Sequence, residues 1–311
     1  MQVLTAIDSE AIAALRSRGE FFWLDLGQPT GDDIARLKEL LSLHPIAVED
    51  IAEVDQRPKL HDYGDYVLMV FYGARRDEDG RPVMVEVELV IHGDYIVTAH
   101  REPCLELTEL HGKLAQPSAD SEQFVVYRVL DTLTDTFFPV LSAMDDEIDE
   151  LENEVISQPT DEQLQRIFRL KRDLVALRKV ITPQRDLFAR AGDDIINLPG
   201  LEPGARDYFR DIYDHLIRIS DLIDSYRDLL TGAMDVYLST VSNRLNAIMK
   251  QLTTIATIFL PLAFITGFFG QNFGWMVRHV NSLTAFLVLG IGGVVVSALA
   301  LYAYFRRAGF L

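Results

Sequence analysis

The sequence predicts an α+β membrane protein, in which an N-terminal α/β cytosolic domain leads into a long helical stalk and two C-terminal transmembrane helices. Strand-like and helical segments alternate over the first 120 residues, an apolar 3–4 repeat then marks a long helix, and two uncharged stretches stand near the C-terminus. The predicted divisions are 1–120 for the α/β domain, 121–203 for long cytosolic helices, 204–250 for the stalk, 251–270 and 281–305 for the transmembrane helices, 271–280 for the outer loop and 306–311 for a basic tail.

Four apolar segments of the first 120 residues predict strands: FFWLDL (21–26), YVLMVFYG (66–73), VMVEVELVI (83–91) and DYIVTA (94–99). SEAIAALRSR and TGDDIARLKELL have the pattern of helices. The dipeptide Gly93–Asp94 predicts a tight hairpin turn. His92 and His100 flank this hairpin, and we expect both to be solvent-exposed.

Long helices are expected next, at positions 121–156 and 160–190, separated by the turn SQPT. The first carries seven acidic residues between positions 145 and 154, for which a solvated face is favoured over a metal-attracting surface. In the stalk, apolar residues recur at intervals of three and four from Phe209 to Tyr237. Because only Pro261 interrupts positions 204–269, one helix on the order of 100 Å long could continue into the membrane.

No charged residue occurs from Gln251 to Val277 or from Val280 to Phe305. Each stretch exceeds the roughly 20 apolar residues that cross a bilayer, so both are predicted to span it. Basic residues flank the inner ends, whereas the connecting loop contains only Arg278 as a Lys or Arg. The positive-inside rule therefore predicts a multi-pass protein of the cell membrane with both termini in the cytoplasm.

One hairpin cannot enclose a channel, so a conduit would need several copies around an axis. A face of small and polar residues, interrupted by larger apolar ones, runs along the stalk and the first span. We call it the seam, and its members follow an unbroken 3–4 repeat: Asp235, Ser239, Ser242, Asn246, Met249, Thr253, Ala256, Leu260, Ala263, Gly267 and Gly270. The pattern favours the wall of a conduit, although small residues also mark ordinary helix packing in membranes.

The distribution of charged residues along the chain limits the kinds of molecule it is expected to bind. All 47 acidic residues and 25 of the 29 basic residues precede Lys250, which gives that part a formal charge of −22. Such a polyanion argues against nucleic acid and fits cations as partners, although acidity can also serve solubility alone. The chain has no P-loop, GxSxG, HxxxH or CxxC motif, and its seven histidines are scattered, so neither an enzyme nor a zinc site is predicted.

The segment YLSTVSNRLNAIMKQLTTIATIFLPLAFITGFFGQNF resembles the CorA family of magnesium and cobalt channels, as do HPIAVEDI, QRPK and FRDIYDH upstream. The family signature is Gly-Met-Asn, and here Gly270 and Asn272 match while Gln271 replaces the methionine. The resemblance implies a funnel-shaped homopentamer with a ring of Asn272 side chains at the outer mouth. It also implies pore-facing positions at Asn246, Met249, Leu252 and Leu260, an acidic ring at Asp235, and regulatory metal ligands at Asp211 and, less directly, Asp77.

The expected function is therefore that of a divalent cation channel, with magnesium as the first expected cargo and cobalt or nickel as further ones. Intracellular divalent cations are expected to close the channel. Gln271, together with Arg278 and His279 in an outer loop without acids, departs from the family pattern. A ZntB-like zinc transporter is accordingly the first alternative. A membrane-anchored cation sensor or scaffold that conducts nothing is the alternative from another class.

Overall fold

The computed structural model describes residues 1–114, 122–190 and 206–307 and divides the chain into two compact units, Met1–Met234 and Asp235–Leu311. The first unit contains β1 (Gln2–Leu4), α1 (Ser9–Arg18), β2 (Phe22–Gly27), α2 (Gly31–Leu41), α3 (Pro45–Ala52), β3 (Lys59–Asp62), β4 (Val67–Arg76), β5 (Pro82–His92), β6 (Tyr95–His100), α4 (Leu105–Leu114), α5 (Glu122–Asp135), α6 (Phe137–Ser157) and α7 (Asp161–Arg190). The predicted boundaries near 120 and 203, and positions 308–311 of the predicted tail, lie outside the described residues.

The strands form one six-stranded sheet in the order β1-β2-β6-β5-β4-β3. β1 and β6 run parallel to β2, whereas the remaining neighbours are antiparallel. The four predicted strands are confirmed, and His92 pairs with Tyr95, which confirms the tight turn at Gly93–Asp94. β1 and β3 were not predicted, because strands of 3 and 4 residues are too short to show an alternating pattern.

Apolar side chains are buried on both faces of the sheet, and one of these faces packs against α1, α2 and α3. Leu24 and Val97 of the sheet belong to the same buried cluster as Ile12, Leu37 and Ile51 from α1, α2 and α3. Alternate residues of β2 and β6 contribute to this cluster, and the residues between them are buried on the opposite face. The N-terminal α/β arrangement predicted from the sequence is confirmed.

The outer part of β4 extends beyond its partner β3 and would otherwise expose unpaired backbone donors. The N–H of Tyr72 donates to the side-chain carbonyl of Gln184 on α7 (2.6 Å), and that of Ala74 donates to Thr136 Oγ1 (2.8 Å). Gly73 between them lets the helices approach, since a Cβ there would lie 2.9 Å from Thr136 Oγ1. Side chains from the helical layer thus close this sheet edge.

The prediction of a single helix over 121–156 is wrong, because two helices, α5 and α6, occupy this segment. α5 ends at Asp135 and α6 begins at Phe137, with Thr136 in a turn between them. Pro139 has no N–H to donate to the Asp135 carbonyl, so the regular hydrogen-bond ladder cannot continue through this point. The predicted break at SQPT is confirmed between Ser157 and Asp161.

Helix α8 (Arg206–Phe269) has 64 residues, starts in the first unit and ends in the second. It is followed by α9 (Gly274–His279), α10 (Leu283–Ala285), a π-helix (Phe286–Gly292) and α11 (Gly293–Arg307). Within α8, only 6% of the most apolar 18-residue window is buried. In Leu283–Arg307, none of the corresponding window is buried. Both helices are long and apolar enough to cross a membrane, and their apolar windows are not buried within the chain as those of a core helix would be.

Candidate ion pathway and metal cluster

The Gly-Gln-Asn loop begins where α8 ends. The N–H of Gly270 donates to the Thr266 carbonyl (2.9 Å) and that of Gln271 to the Phe268 carbonyl (3.3 Å), which satisfies two of the terminal helix carbonyls. A side chain at position 270 would bring its Cβ to 3.1 Å from the Thr266 oxygen, so glycine suits this close approach. The side chains of Gln271 and Asn272 are exposed, and within the described residues no hydrogen bond engages their carboxamides.

The two basic residues of the outer loop are turned back onto α9. Arg278 Nε donates to the Gly274 carbonyl (3.2 Å). The His279 ring stacks on Trp275 with 4.6 Å between ring centroids, and its Nδ1 lies 2.9 Å from the Trp275 carbonyl oxygen. These local contacts hold both side chains beside their own helix turn.

The predicted pore-lining residues all lie on the single helix α8, where residues three or four positions apart are neighbours on the helix surface. All of them are exposed in the single chain, and the large apolar members Met249, Leu252 and Leu260 are 57%, 65% and 76% exposed. A straight α-helix drifts by about 20° per heptad from a 3.5-residue repeat, or about 100° over the five heptads from Asp235 to Gly270. Copies of this chain would therefore have to wind around one another to keep the seam on a common axis.

A cluster of metal-ligating side chains lies between α5 and the first part of α8. Candidate ligand atoms of Asp131, Asp135 and His215 all lie within 4.8 Å of one another. His215 Nδ1 is 3.9 Å from Asp131 Oδ1 and 3.7 Å from Asp135 Oδ1, and its Nε2 is 3.9 Å from Asp211 Oδ1. Tyr127 donates a hydrogen bond of 3.0 Å to the other oxygen of Asp211. We call the group Asp131, Asp135 and His215, together with Asp211 beside the opposite ring nitrogen of His215, the α5–α8 cluster.

The electrostatics of the α5–α8 cluster favour an added cation. Asp131 is 6% exposed, and burial followed by the charge of Asp135 raises its pKa, an effect that Arg128 and His215 only partly offset. Burial and the nearby charge of Asp131 also raise the pKa of Tyr127. His215 Nδ1 is a buried nitrogen without a hydrogen-bond partner. The two carboxylates of Asp131 and Asp135 and the ring nitrogen of His215, within 4.8 Å of one another, are a donor set suited to a divalent metal.

Of the two predicted regulatory positions, Asp211 lies in this cluster, and Asp77 is not among its members. Asp77 is in the turn between β4 and β5, where its Oδ1 accepts a hydrogen bond from the N–H of Arg81 (2.7 Å). Asp131, Asp135 and His215 were not predicted from the sequence. Two i,i+4 pairs, Asp131 with Asp135 and Asp211 with His215, were the available signal, because this spacing places both members on one helical face.

The acidic run of α6 is not simply a solvated face. Arg166 of α7 contacts Glu147 (3.4 Å), Glu150 (2.8 Å) and Glu154 (3.0 Å), and Arg169 also pairs with Glu147. Cross-helix pairing therefore neutralises part of this run, which leaves it less suited to a metal than the α5–α8 cluster.

His100 was expected to be exposed, and this expectation is wrong. It is 6% exposed, with its Nε2 3.4 Å from Asp25 Oδ1, while His111 Nε2 lies 2.9 Å from Asp25 Oδ2. Burial would raise the pKa of Asp25, but hydrogen bonds with His100, His111 and Thr98 lower it overall. The parallel pairing of β2 with β6 brings these residues together, and that pairing is not visible in local sequence.

Comparison with known proteins places these features in a family. Residues 18–307 match the family described as CorA-like Mg2+ transporter protein. The cobalt/magnesium transport protein CorA of Thermotoga maritima is 36% identical over 313 residues, covering 98% of this chain and 87% of that protein. The zinc transport protein ZntB of Yersinia enterocolitica is 25% identical and covers 93% of this chain and 89% of that protein.

The fold is likewise shared with a solved structure. The complete structure of the CorA magnesium transporter from Methanocaldococcus jannaschii superposes with a TM-score of 0.82 at 24% identity, covering 93% of this chain and 91% of that one. It confirms the predicted order of an N-terminal α/β domain, a long helix and two C-terminal apolar helices. On the family match and the identity to its relatives, the chain belongs to the CorA-like Mg2+ transporter family.

Proposed function

We propose that this chain forms a homopentameric channel for divalent metal cations in the cell membrane, with both termini in the cytoplasm. As a member of its family it is a divalent cation transporter and not an enzyme. Magnesium is the proposed cargo, with cobalt or nickel as further cargoes, because the most similar curated relative named above is a cobalt/magnesium transport protein. The observation that carries the proposal is the continuity of α8, which joins the exposed seam directly to the Gly-Gln-Asn loop.

The loop suits a cation that keeps its water. Magnesium dehydrates reluctantly and usually retains several waters in proteins. The exposed carboxamide oxygens of Gln271 and Asn272 can accept hydrogen bonds from those waters without the tight binding of a carboxylate. Permeation needs this weak attraction, because an ion must also leave the site. The C-terminal end of α8 adds a partial negative charge at the same place.

Below the loop, the seam would supply alternating polar and apolar rings. Leu260 and Met249 would form apolar constrictions, which can gate a pore by excluding water. Asn246 and Ser242 would offer amide and hydroxyl oxygens between the constrictions and the acidic position Asp235. The ring arrangement is necessary because one chain supplies only one such helix.

Regulation is assigned to the α5–α8 cluster. Its crowded carboxylates repel one another when no cation is present, and the charge of Asp135 adds to burial, the larger cause, in raising the pKa of Asp131. Intracellular magnesium bound there would relieve the repulsion, hold neighbouring elements together and favour the closed pore. A fall in internal magnesium would then open the channel.

Zinc is the second candidate cargo. The relation to a zinc transport protein and the presence of Gln271 in place of methionine both favour it. A non-conducting sensor or scaffold would use the same cluster and the same helices without transport.

Cation uptake into proteoliposomes separates these functions. We expect magnesium uptake by the wild type and a loss of at least tenfold in Asn272→Ala. Asn153→Ala is the matched control, because among the described residues the Asn153 side chain on α6 bonds only the carbonyl of Asp149 in its own helix. Zinc uptake without magnesium uptake would select the zinc transporter. An assembled protein that transports neither cation would overturn the channel.

A further inference from the structure

A cavity of about 230 Å³ lies against the Gly-Gln-Asn loop, inside the second unit. Gln271 and Asn272 form one side of it, and a third carboxamide, Asn281, lines it from the start of the second span. The remaining lining is apolar and includes Phe269, Phe286 and Met276. Three exposed carboxamides thus share one cavity, although Asn281 stands nine positions after Asn272 in the chain.

Asn281 does not cap the helix that follows it. An asparagine at this place would commonly cap the following helix. Here Ser282 is the cap residue of α10 and accepts the N–H of Ala285 (3.1 Å). Within the described residues no hydrogen bond engages the Asn281 side chain, which leaves its oxygen and both its N–H donors available to a ligand.

The cavity has the size and the chemistry for an ion that keeps its hydration shell. Six waters occupy roughly 180 Å³ at about 30 Å³ each, which is less than the cavity volume. No charged residue lines it, since Arg278 is turned back onto Gly274. The apolar side chains of the lining offer no oxygen that could replace a bound water, so Gln271, Asn272 and Asn281 are the polar side chains of the lining that a hydrated ion would meet.

We propose that Asn281 is a further specificity-determining residue, which receives the hydration shell of the arriving divalent cation together with Gln271 and Asn272. This inference rests on the proposed transport function. It gives the outer mouth a third carboxamide per copy in a loop that has no acidic residue. Ions that hold their water tightly are favoured there, because three neutral carboxamides are a weak substitute for a complete hydration shell.

The test compares magnesium uptake by wild type, Asn281→Ala and Asn281→Gln across external magnesium concentrations. A lost hydrogen bond corresponds to about a three- to tenfold change. We therefore expect Asn281→Ala to raise the apparent KM by that factor with a smaller change in maximal rate. Asn281→Gln, which keeps the carboxamide, should recover most of the affinity. Thr284→Ala is the control, because it removes a polar group of the same span that does not line the cavity.

A second readout isolates recognition through the hydration shell. Hexaamminecobalt(III) keeps its six ligands and presents N–H donors in the octahedral arrangement of hydrated magnesium. Block of uptake by this complex should weaken in Asn281→Ala in parallel with the KM. If Asn281→Ala conducts with an unchanged KM and unchanged block, the role of Asn281 is overturned while the proposed transport function stands. A wild type that conducts no cation would overturn the proposed function and this role with it. If Asn281→Ala does not assemble, Asn281→Ser replaces it with the same expectations.

Discussion

Neutralising one carboxylate of the α5–α8 cluster should weaken inhibition by internal magnesium. Asp135→Asn is the chosen change, because the Asp135 side chain is 55% exposed and its replacement leaves the core untouched. The ring nitrogen of His215 lies 3.7 Å from Asp135 Oδ1, so an ion held in the cluster would stand about 4 Å or less from this carboxylate.

The expected magnitude follows from that distance. Two unit charges 4 Å apart interact by about 1 kcal/mol in water, and a divalent ion doubles this to about 2 kcal/mol. Salt screening at an exposed site reduces the effect, so we expect about 1.4 kcal/mol, which is tenfold in affinity. The internal magnesium concentration that halves the current should therefore rise about tenfold in Asp135→Asn.

The assay is current through excised membrane patches across a series of internal magnesium concentrations. Asp214→Asn is the matched control, since it makes the same charge change on an exposed residue adjacent to His215 but outside the cluster. Equal shifts in both variants would show a general charge effect and refute the assignment of the cluster. No shift in Asp135→Asn would refute it as well.

Three further changes test other parts of the account. Burial, followed by the charge of Glu86, raises the pKa of Glu88 from 4.5 to about 8, so the folded state loses stability as the pH rises between these values. Glu88→Gln should remove this cost, with a gain on the order of 3 kcal/mol at pH 7 and almost none at pH 4, measured by thermal unfolding. The pKa of His100 is raised, because contact with Asp25 outweighs burial, and its contribution is full below about pH 6.5 and lost as the pH rises through the raised value. His100→Gln should therefore lower the melting temperature more at pH 6 than at pH 9, and an equal loss at both would contradict the ion pair. Gln271→Met should raise the apparent KM for magnesium about two- to tenfold, since a thioether accepts hydrogen bonds from water poorly; an unchanged KM would remove Gln271 from the site.

Local pattern was sufficient for the elements with a strong period. The 3–4 repeat from Phe209 to Tyr237 appears as the buried side of α8, and the alternating or apolar runs of the first 120 residues appear as β2, β4, β5 and β6. The uncharged stretches became helices whose apolar windows are almost wholly exposed. In each case the periodicity extends over enough residues to separate helix from strand.

Long-range contacts could not be predicted in the same way. Thr136 and Gln184 close the edge of β4, although they lie 62 and 112 positions away from the N–H groups they accept. His100 meets Asp25 only because β2 and β6 are parallel neighbours. Such contacts depend on topology, and topology is not encoded in any single window of sequence.

In the candidate site, too, residues marked by a local pattern were predicted and residues brought together by long-range contacts were not. Asn272 and the seam were identifiable from sequence because a loop motif and a helical period mark them. Of the α5–α8 cluster, only Asp211 was named from the sequence, because Asp131, Asp135 and His215 come together only through the packing of α5 on α8. Asn281 was missed because it belongs to no motif and reaches the loop only through the fold of the second unit.

The proposed channel requires the seam of α8 to face water along an axis shared by several copies. The most direct measurement replaces Cys104 by alanine and introduces single cysteines at Thr253, Ala256 and Ala263 on the seam, with Ile258 on the opposite side of α8 as control. We expect a charged, water-soluble thiol reagent to modify the seam cysteines in the open channel and reduce magnesium current, while Ile258→Cys stays unmodified in the lipid or at a helix contact. Modification of Ile258→Cys with protection of all three seam cysteines would contradict the proposed channel.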